Sequence, residues 1–323
     1  MIIRSPQRSP LSAAIQNAFS VVGGALGAPS FYLNLSNFGN ISAGDTQARG
    51  TITSTAGGVI SAQLLASRVT GVAPLYVNFD MTGTTSSGST NPTHELFYAT
   101  DFGDSGAGTW ANGVQSSGLT SKNAGYGPVT GHVYETPGTY TVTTVVMDGV
   151  NTSTKTGTIV VQDPDVVYAG ALTICISNSN NFTGAPAGAT QVNRAADTDM
   201  YAAWVAHKAS NKRILFCKAD TWTCSAPMLM AGLTGLTVGG YGTGAARAAV
   251  FNASASDTLV PVTMAIGATS LFECGGSTDC MVSSLKVAAM ATNSGMAVTS
   301  GGSVSLTWHK IEVRGASAGF SSK

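Results

Sequence analysis

Residues 96–104 read LFYATDFGD, and residues 132–142 read HVYETPGTYTV. In the first stretch Leu96 and Tyr98 alternate with polar neighbours, which is the period of a half-buried strand. The strand runs into Asp101-Phe102-Gly103-Asp104, residue types that form turns. In the second, Pro137-Gly138 marks a tight turn, after which Tyr140, Val142, Thr144 and Val146 alternate with Thr141, Thr143, Val145 and Met147. Asp148-Gly149 closes a hairpin, and Thr158 to Val161 returns. Upstream, Val72, Leu75, Val77 and Phe79 supply another apolar strand face, with Pro74 at its start, where a missing N–H is tolerated. Seven or so short strands with regular turns predict a sandwich of two antiparallel sheets over residues 68–165. Phe79, Phe102, Tyr134, Tyr140 and Val142 form its expected core.

That pattern is of the Ig-like type, and its wording resembles the PKD (polycystic kidney disease) domain. The resemblance rests on Ala73-Pro74-Leu75, on the Phe79-Asp80 strand end, on Tyr98 to Asp104 and on His132 to Val142. Tyr98 stands where that family usually has a Trp, with one extra residue, and residues 105–127 form an insertion. The resemblance implies a binding or spacer module and no catalyst. Asp101 and Asp104 are weak candidates for a Ca²⁺ ion, which needs six or more oxygens. The competing reading makes them turn residues that satisfy backbone N–H groups. His132 reads as a packed strand residue, and no other cofactor is expected.

Downstream of Asp163-Pro164-Asp165 the texture changes. A strand at 172–177 leads to a polar, Gly-rich loop. Residues 196–213 then predict a helix, with Asp197 as cap and Met200, Ala203, Trp204 and His207 as its apolar stripe. Short strands follow at Leu236–Gly239, Ala248–Phe251, Thr269–Glu273, Met281–Ala288 and Ser303–Val313, at a loose interval of about twenty to thirty residues, as in a parallel solenoid. This part resembles the start of pectate-lyase-like right-handed β-helices. The match lies in the helix before Arg213-Ile214-Leu215-Phe216, in Ala219-Asp220-Thr221-Trp222 and in Leu236 to Gly244. The resemblance implies that the helix caps the solenoid's open end. Enzymes of that type cleave polysaccharides with paired carboxylates. Asp220, Asp257, Glu273, Asp279 and Glu312 are the carboxylates available, scattered singly, so no catalytic pair is assigned. Glu273 and the row Lys310, Glu312 and Arg314 are the candidate glycan-facing residues.

The fold class is therefore mainly β: an N-terminal region (1–67), a sandwich (68–165) and the capped start of a β-helix (166–323). The first region has an amphipathic helix from about Leu11 to Val22, which presents Ile15, Phe19 and Val22 as an assembly anchor, followed by strands. Net charge follows the same divisions. Arg4, Arg8, Arg49 and Asp45 give the first +2; three basic and eight acidic groups give the second −5; ten basic and seven acidic give the third +3. The whole is neutral, with 10% charged residues and 39 glycines. That composition excludes a helical bundle and a disordered chain. No basic excess suits nucleic acid, and no apolar run reaches the ~18 residues of a membrane span. The five cysteines (Cys175, Cys217, Cys224, Cys274, Cys280) lack CxxC spacing. They read as buried small hydrophobes or as local disulfides, Cys217/Cys224 and Cys274/Cys280.

An anchor, an Ig-like module and a solenoid in series lead to an expectation by architectural analogy alone. The chain would be a bacteriophage virion appendage, a tail fibre, tailspike or capsid-attached fibre, that serves host attachment. Its partners would be other virion proteins, copies of itself (a trimer) and a host-surface glycan or protein. The alternative is a secreted bacterial protein that binds or degrades polysaccharide.

Overall fold

The computed structural model describes residues 30–34, 47–51, 57–110, 121–244, 260–264, 270–288, 295–299, 305–313 and 320–322. The anchor residues Ile15, Phe19 and Val22, the strand expected at Ala248–Phe251, and Asp257 and Arg314 lie outside the described residues. The chain is mainly β. Ahead of the sandwich, Ser30–Asn34 pairs antiparallel with Gln47–Thr51. Among the described residues no helix is long and apolar enough to cross a membrane.

The sandwich comprises β1 (Leu65–Ala66), β2 (Thr70–Val72), β3 (Leu75–Asp80), β4 (Phe97–Asp101), β5 (Ala124–Tyr126), β6 (Val129–Tyr134), β7 (Gly138–Met147) and β8 (Thr152–Gln162). One sheet has the order β6-β3-β1 and the other β2-β8-β7-β4-β5. Pairing is antiparallel except between β2 and β8. The strict alternation in β3 turns Leu75, Val77 and Phe79 inward and leaves Tyr76 out. Tyr134 joins them from the neighbouring β6, and Val142, Val146, Ile159, Tyr98 and Phe102 meet them from the other sheet and its turn. Ile60 joins this core and β1 its smaller sheet, so the sandwich reaches upstream of residue 68. Tyr140 is only half-buried against the core, unlike the other four expected core residues.

The second half is a curled parallel sheet, consistent with the start of a β-helix. Its strands are β9 (Thr173–Ser177), β10 (Thr190–Asn193), β11 (Arg213–Cys217), β12 (Trp222–Cys224), β13 (Met228–Leu229), β14 (Thr237–Tyr241), β15 (Val260–Met264), β16 (Ser270–Glu273), β17 (Met281–Ala288), β18 (Gly295–Thr299), β19 (Thr307–Val313) and β20 (Phe320–Ser322). The chain visits three walls in rotation. The first stacks β9, β11, β14 and the front halves of β17 and β19. The second stacks β12, β15 and the rear halves of β17 and β19. The third has the order β13-β16-β18-β20. Ile174, Ile214, Val238 and Val282 lie in register along the first wall and are buried, a ladder that fills the interior.

The coils are less regular than the sequence suggests. Thr173, Arg213, Thr237, Met281 and Thr307 are successive register partners, so long and short coils alternate. The first long coil contains the expected helix, Met200–His207. It is capped by Asp199, whose Oδ1 accepts from Tyr201 N at 3.1 Å; Asp197 instead accepts from Asp199 N at 3.0 Å. Met200, Ala203 and Trp204 are fully buried, so the helix closes the interior as a cap.

The five cysteines are all buried, and none is in a disulfide. Cys224 faces the solenoid interior, whereas Cys217 joins Cys175 and Tyr241 in a cluster on the outside of the first wall. The wall therefore separates the first of the two expected disulfide partners. Cys274 and Cys280 share the interior without bridging. Burial pushes the thiols of Cys175, Cys224 and Cys274 up to about 12, so they act as small hydrophobes.

Candidate functional site

Where β6 of the sandwich meets β19 of the solenoid, a cleft of about 360 Å³ opens. The residues that matter in it are Tyr76, Trp110, Lys122, His132, Glu135 and His309. Tyr76 stands on the outward side of β3 and is 44% exposed. Its ring lies across β6 at Gly131, where a Cβ would come within 2.7 Å of the phenol oxygen, so glycine lets the ring lie flat there. Trp110 follows a short antiparallel bridge between Thr109 and Ser121. The bridge brings Lys122 back beside it, with Nζ 5.5 Å from the Trp110 ring centroid, a cation–π distance.

The floor is His132. Its ring stacks on Phe102 at 4.6 Å and meets Tyr134 edge-on at 4.6 Å. Nε2 lies 3.0 Å from Asp104 Oδ2, both residues being buried. Tyr134 donates from its hydroxyl to Phe102 O at 2.9 Å. Burial, and secondarily the Asp104 charge, raises its phenol well above the usual range.

The far wall is an ionic clasp between the two halves of the chain. Glu135 Oε1 lies 3.2 Å from His309 Nε2, and Oε2 accepts from Lys310 Nζ at 2.9 Å. The hydrogen bond to His309, with help from Lys310 and against the cost of burial, lowers the Glu135 carboxyl to about 2. Lys310 reaches across because it sits at a corner of β19 with φ 52°, where the strand passes from the first wall to the second. An open cleft with two aromatic faces and a rim of charged and hydroxyl groups can hold a polar ring by stacking and hydrogen bonds.

The residues expected to carry function are dispersed. Asp101 Oδ1 accepts from Gly103 N at 2.7 Å and from Asn123 Nδ2 at 2.9 Å, the role of a turn aspartate. Asp104 is taken up by His132, while its own N–H donates to Asn123 Oδ1 at 2.6 Å. No three His, Cys, Asp or Glu side chains among the described residues converge as metal ligands. Glu273 is on the third wall, opposite Leu229, and Glu312 is on β19, opposite Lys286, so the register sets the two carboxylates in different sheets. The Lys310 corner also splits the expected row: Lys310 turns to the sandwich, and Glu312 is buried further along. Asp220, buried, accepts from Ser177 Oγ at 2.8 Å, Asn178 N at 2.8 Å and Ser179 Oγ at 2.5 Å, locking the corner before β12. Asp279 bridges to Arg68 at 3.0 Å.

Sequence reasoning missed Tyr76, Trp110, Lys122, Glu135 and His309. The available signal was a lone Trp with a Lys in the polar insertion that enlarges one sandwich loop. Glu135 and His309, 174 residues apart, carry no local signal at all.

No family model matches this chain, and no curated protein matches it. Among solved structures it is similar to the solution structure of the PKD domain from human VPS10 domain-containing receptor SorCS2. The identity is 16% and the TM-score 0.24, over 40% of this chain and 93% of that one. The sandwich is defined by its own pairings and core.

Proposed function

We propose that this chain is a structural attachment protein that holds a host-surface glycan in the cleft between its sandwich and its solenoid. The observation that carries the reading is the open cleft walled by Tyr76 and Trp110, with Glu135 and Lys122 at its rim. Sugar rings stack their C–H faces on such aromatics, and their hydroxyls pair with such polar groups. We take the middle module to be of PKD type, on the motifs from Tyr98 to Asp104 and from His132 to Val142, and the second half to be a pectate-lyase-like β-helix used as a rigid stalk. A virion appendage, such as a phage tail fibre or tailspike, is the setting that suits this architecture. Assembly would run through Ile15, Phe19 and Val22 and through contacts between copies. Buried thiols outside disulfides suit a protein folded in a reducing cytoplasm before assembly. The test has two arms. The full chain is screened on immobilised bacterial surface glycans, and immunogold microscopy locates it on particles. Selective glycan capture and labelled appendages are expected. Release of oligosaccharide from the captured glycan would instead indicate a depolymerase.

A further inference from the structure

The charges around the cleft do not balance one another evenly. Asp104 is paired with His132, and Glu135 with both His309 and Lys310. Each carboxylate facing the cleft therefore already has a basic partner. Lys122 differs: its ammonium lies against the Trp110 ring and has no carboxylate partner among the described residues. Its backbone N–H donates to Gly108 O at 2.9 Å, which holds the turn that carries it beside the aromatic wall. The cleft thus presents a positioned cation beside an aromatic face, with Glu135 spent on holding the two domains together and Asp104 on His132.

We propose that the cleft takes an acidic saccharide, its carboxylate on the Lys122 ammonium and its ring against the aromatic side chains that line the cleft, Tyr76 and Trp110. This rests on the reading of the cleft as a glycan site and names the class of sugar. A carboxylate at Lys122 gains a charge-assisted hydrogen bond beside a low-dielectric ring, stronger than the bond a neutral hydroxyl makes. A second acidic group on the ligand would meet Glu135 or Asp104, so a single carboxylate per ring suits the site. Uronic acids and nonulosonic acids share that chemistry.

Calorimetric titration of the full chain tests it with three probes: oligogalacturonate, α2,8-linked oligosialate, and the carboxyl-reduced form of the oligogalacturonate. One acidic probe is expected to bind about tenfold or more tighter than the carboxyl-reduced form. Which of the two does so identifies the source of the carboxylate. Lys122→Gln should bring the affinities together, and Lys122→Arg should keep them apart. Equal affinity for acidic and reduced probes overturns this proposal and leaves the glycan reading standing. So does a preference that survives Lys122→Gln. If no probe binds, this proposal falls, and the glycan reading stands or falls with the screen on bacterial surface glycans.

Discussion

Tyr134 and Tyr140 are neighbours in the motif and their rings meet at 4.5 Å with a 38° tilt, yet they do different work. Tyr134 is fully buried and tied to Phe102 O, whereas Tyr140 keeps part of its ring in solvent and donates to Thr136 O at 2.7 Å. Tyr134→Ala should cost about 3–5 kcal/mol, the range for buried aromatics, and Tyr140→Ala about 1–2 kcal/mol. Denaturant titration of the full chain checks the order. Asp220 offers a second test at this scale. Removing its carboxylate leaves two hydroxyls and one backbone N–H without their acceptor, so Asp220→Ala should cost about 2–4 kcal/mol. An unchanged midpoint would show that the corner does not depend on it. The turn role of Asp101 was legible because Asx turns are local. The Asp220 lock was not, because its partners lie 41 to 43 residues away.

The solenoid's regularity lies in one backbone element that the hydrophobic pattern does not reveal. Asn211, Gly235, Asp279 and Ser305 have φ between 50° and 63°, and each stands two residues before the strand that opens the next coil. Two of its amides pass hydrogen bonds to the next coil: Asn211 N to Thr234 O at 2.8 Å and Gly235 N to Thr278 O at 2.9 Å. Only one of the four is glycine, so no fixed-spacing glycine repeat could mark the coils. At Gly235 a Cβ would lie 2.5 Å from Asn211 Oδ1. Gly235→Ala combines that clash with left-handed strain and should destabilise by about 1–2 kcal/mol. Thermal unfolding measures it, and a rise in stability would contradict the column's role. Alternating strands and the cap helix were read from periodicity. Their stacking into three walls was not, because parallel neighbours are set by coil length, and long coils alternate with short ones.

Over the whole molecule, the charge steps along the sequence become contacts. The acidic sandwich gives Glu135 and Asp165, and the basic solenoid answers with Lys310, His309 and Arg213. The Glu135 clasp has a testable pH dependence. Folding lowers its carboxyl from the ordinary 4.5 to about 2. The contribution is therefore full above about pH 4.5 and is lost as pH falls toward about 2. Glu135 is half-exposed, so the effect is modest and screened by salt. Wild type should exceed Glu135→Gln in stability at neutral pH, with the gap closing across that window; a gap that stays constant would rule the clasp out.

The central claim is that the cleft formed by these contacts binds sugar through its aromatic wall, and Trp110 tests it most directly. Trp110 lines the cleft and belongs to neither hydrophobic core, so its substitution should leave both cores intact. The measurement is a binding isotherm of wild type and Trp110→Ala on the glycan captured in the screen, with matched unfolding curves. An affinity loss of about tenfold or more at equal stability is expected for Trp110→Ala. Equal affinity in the two proteins would contradict it.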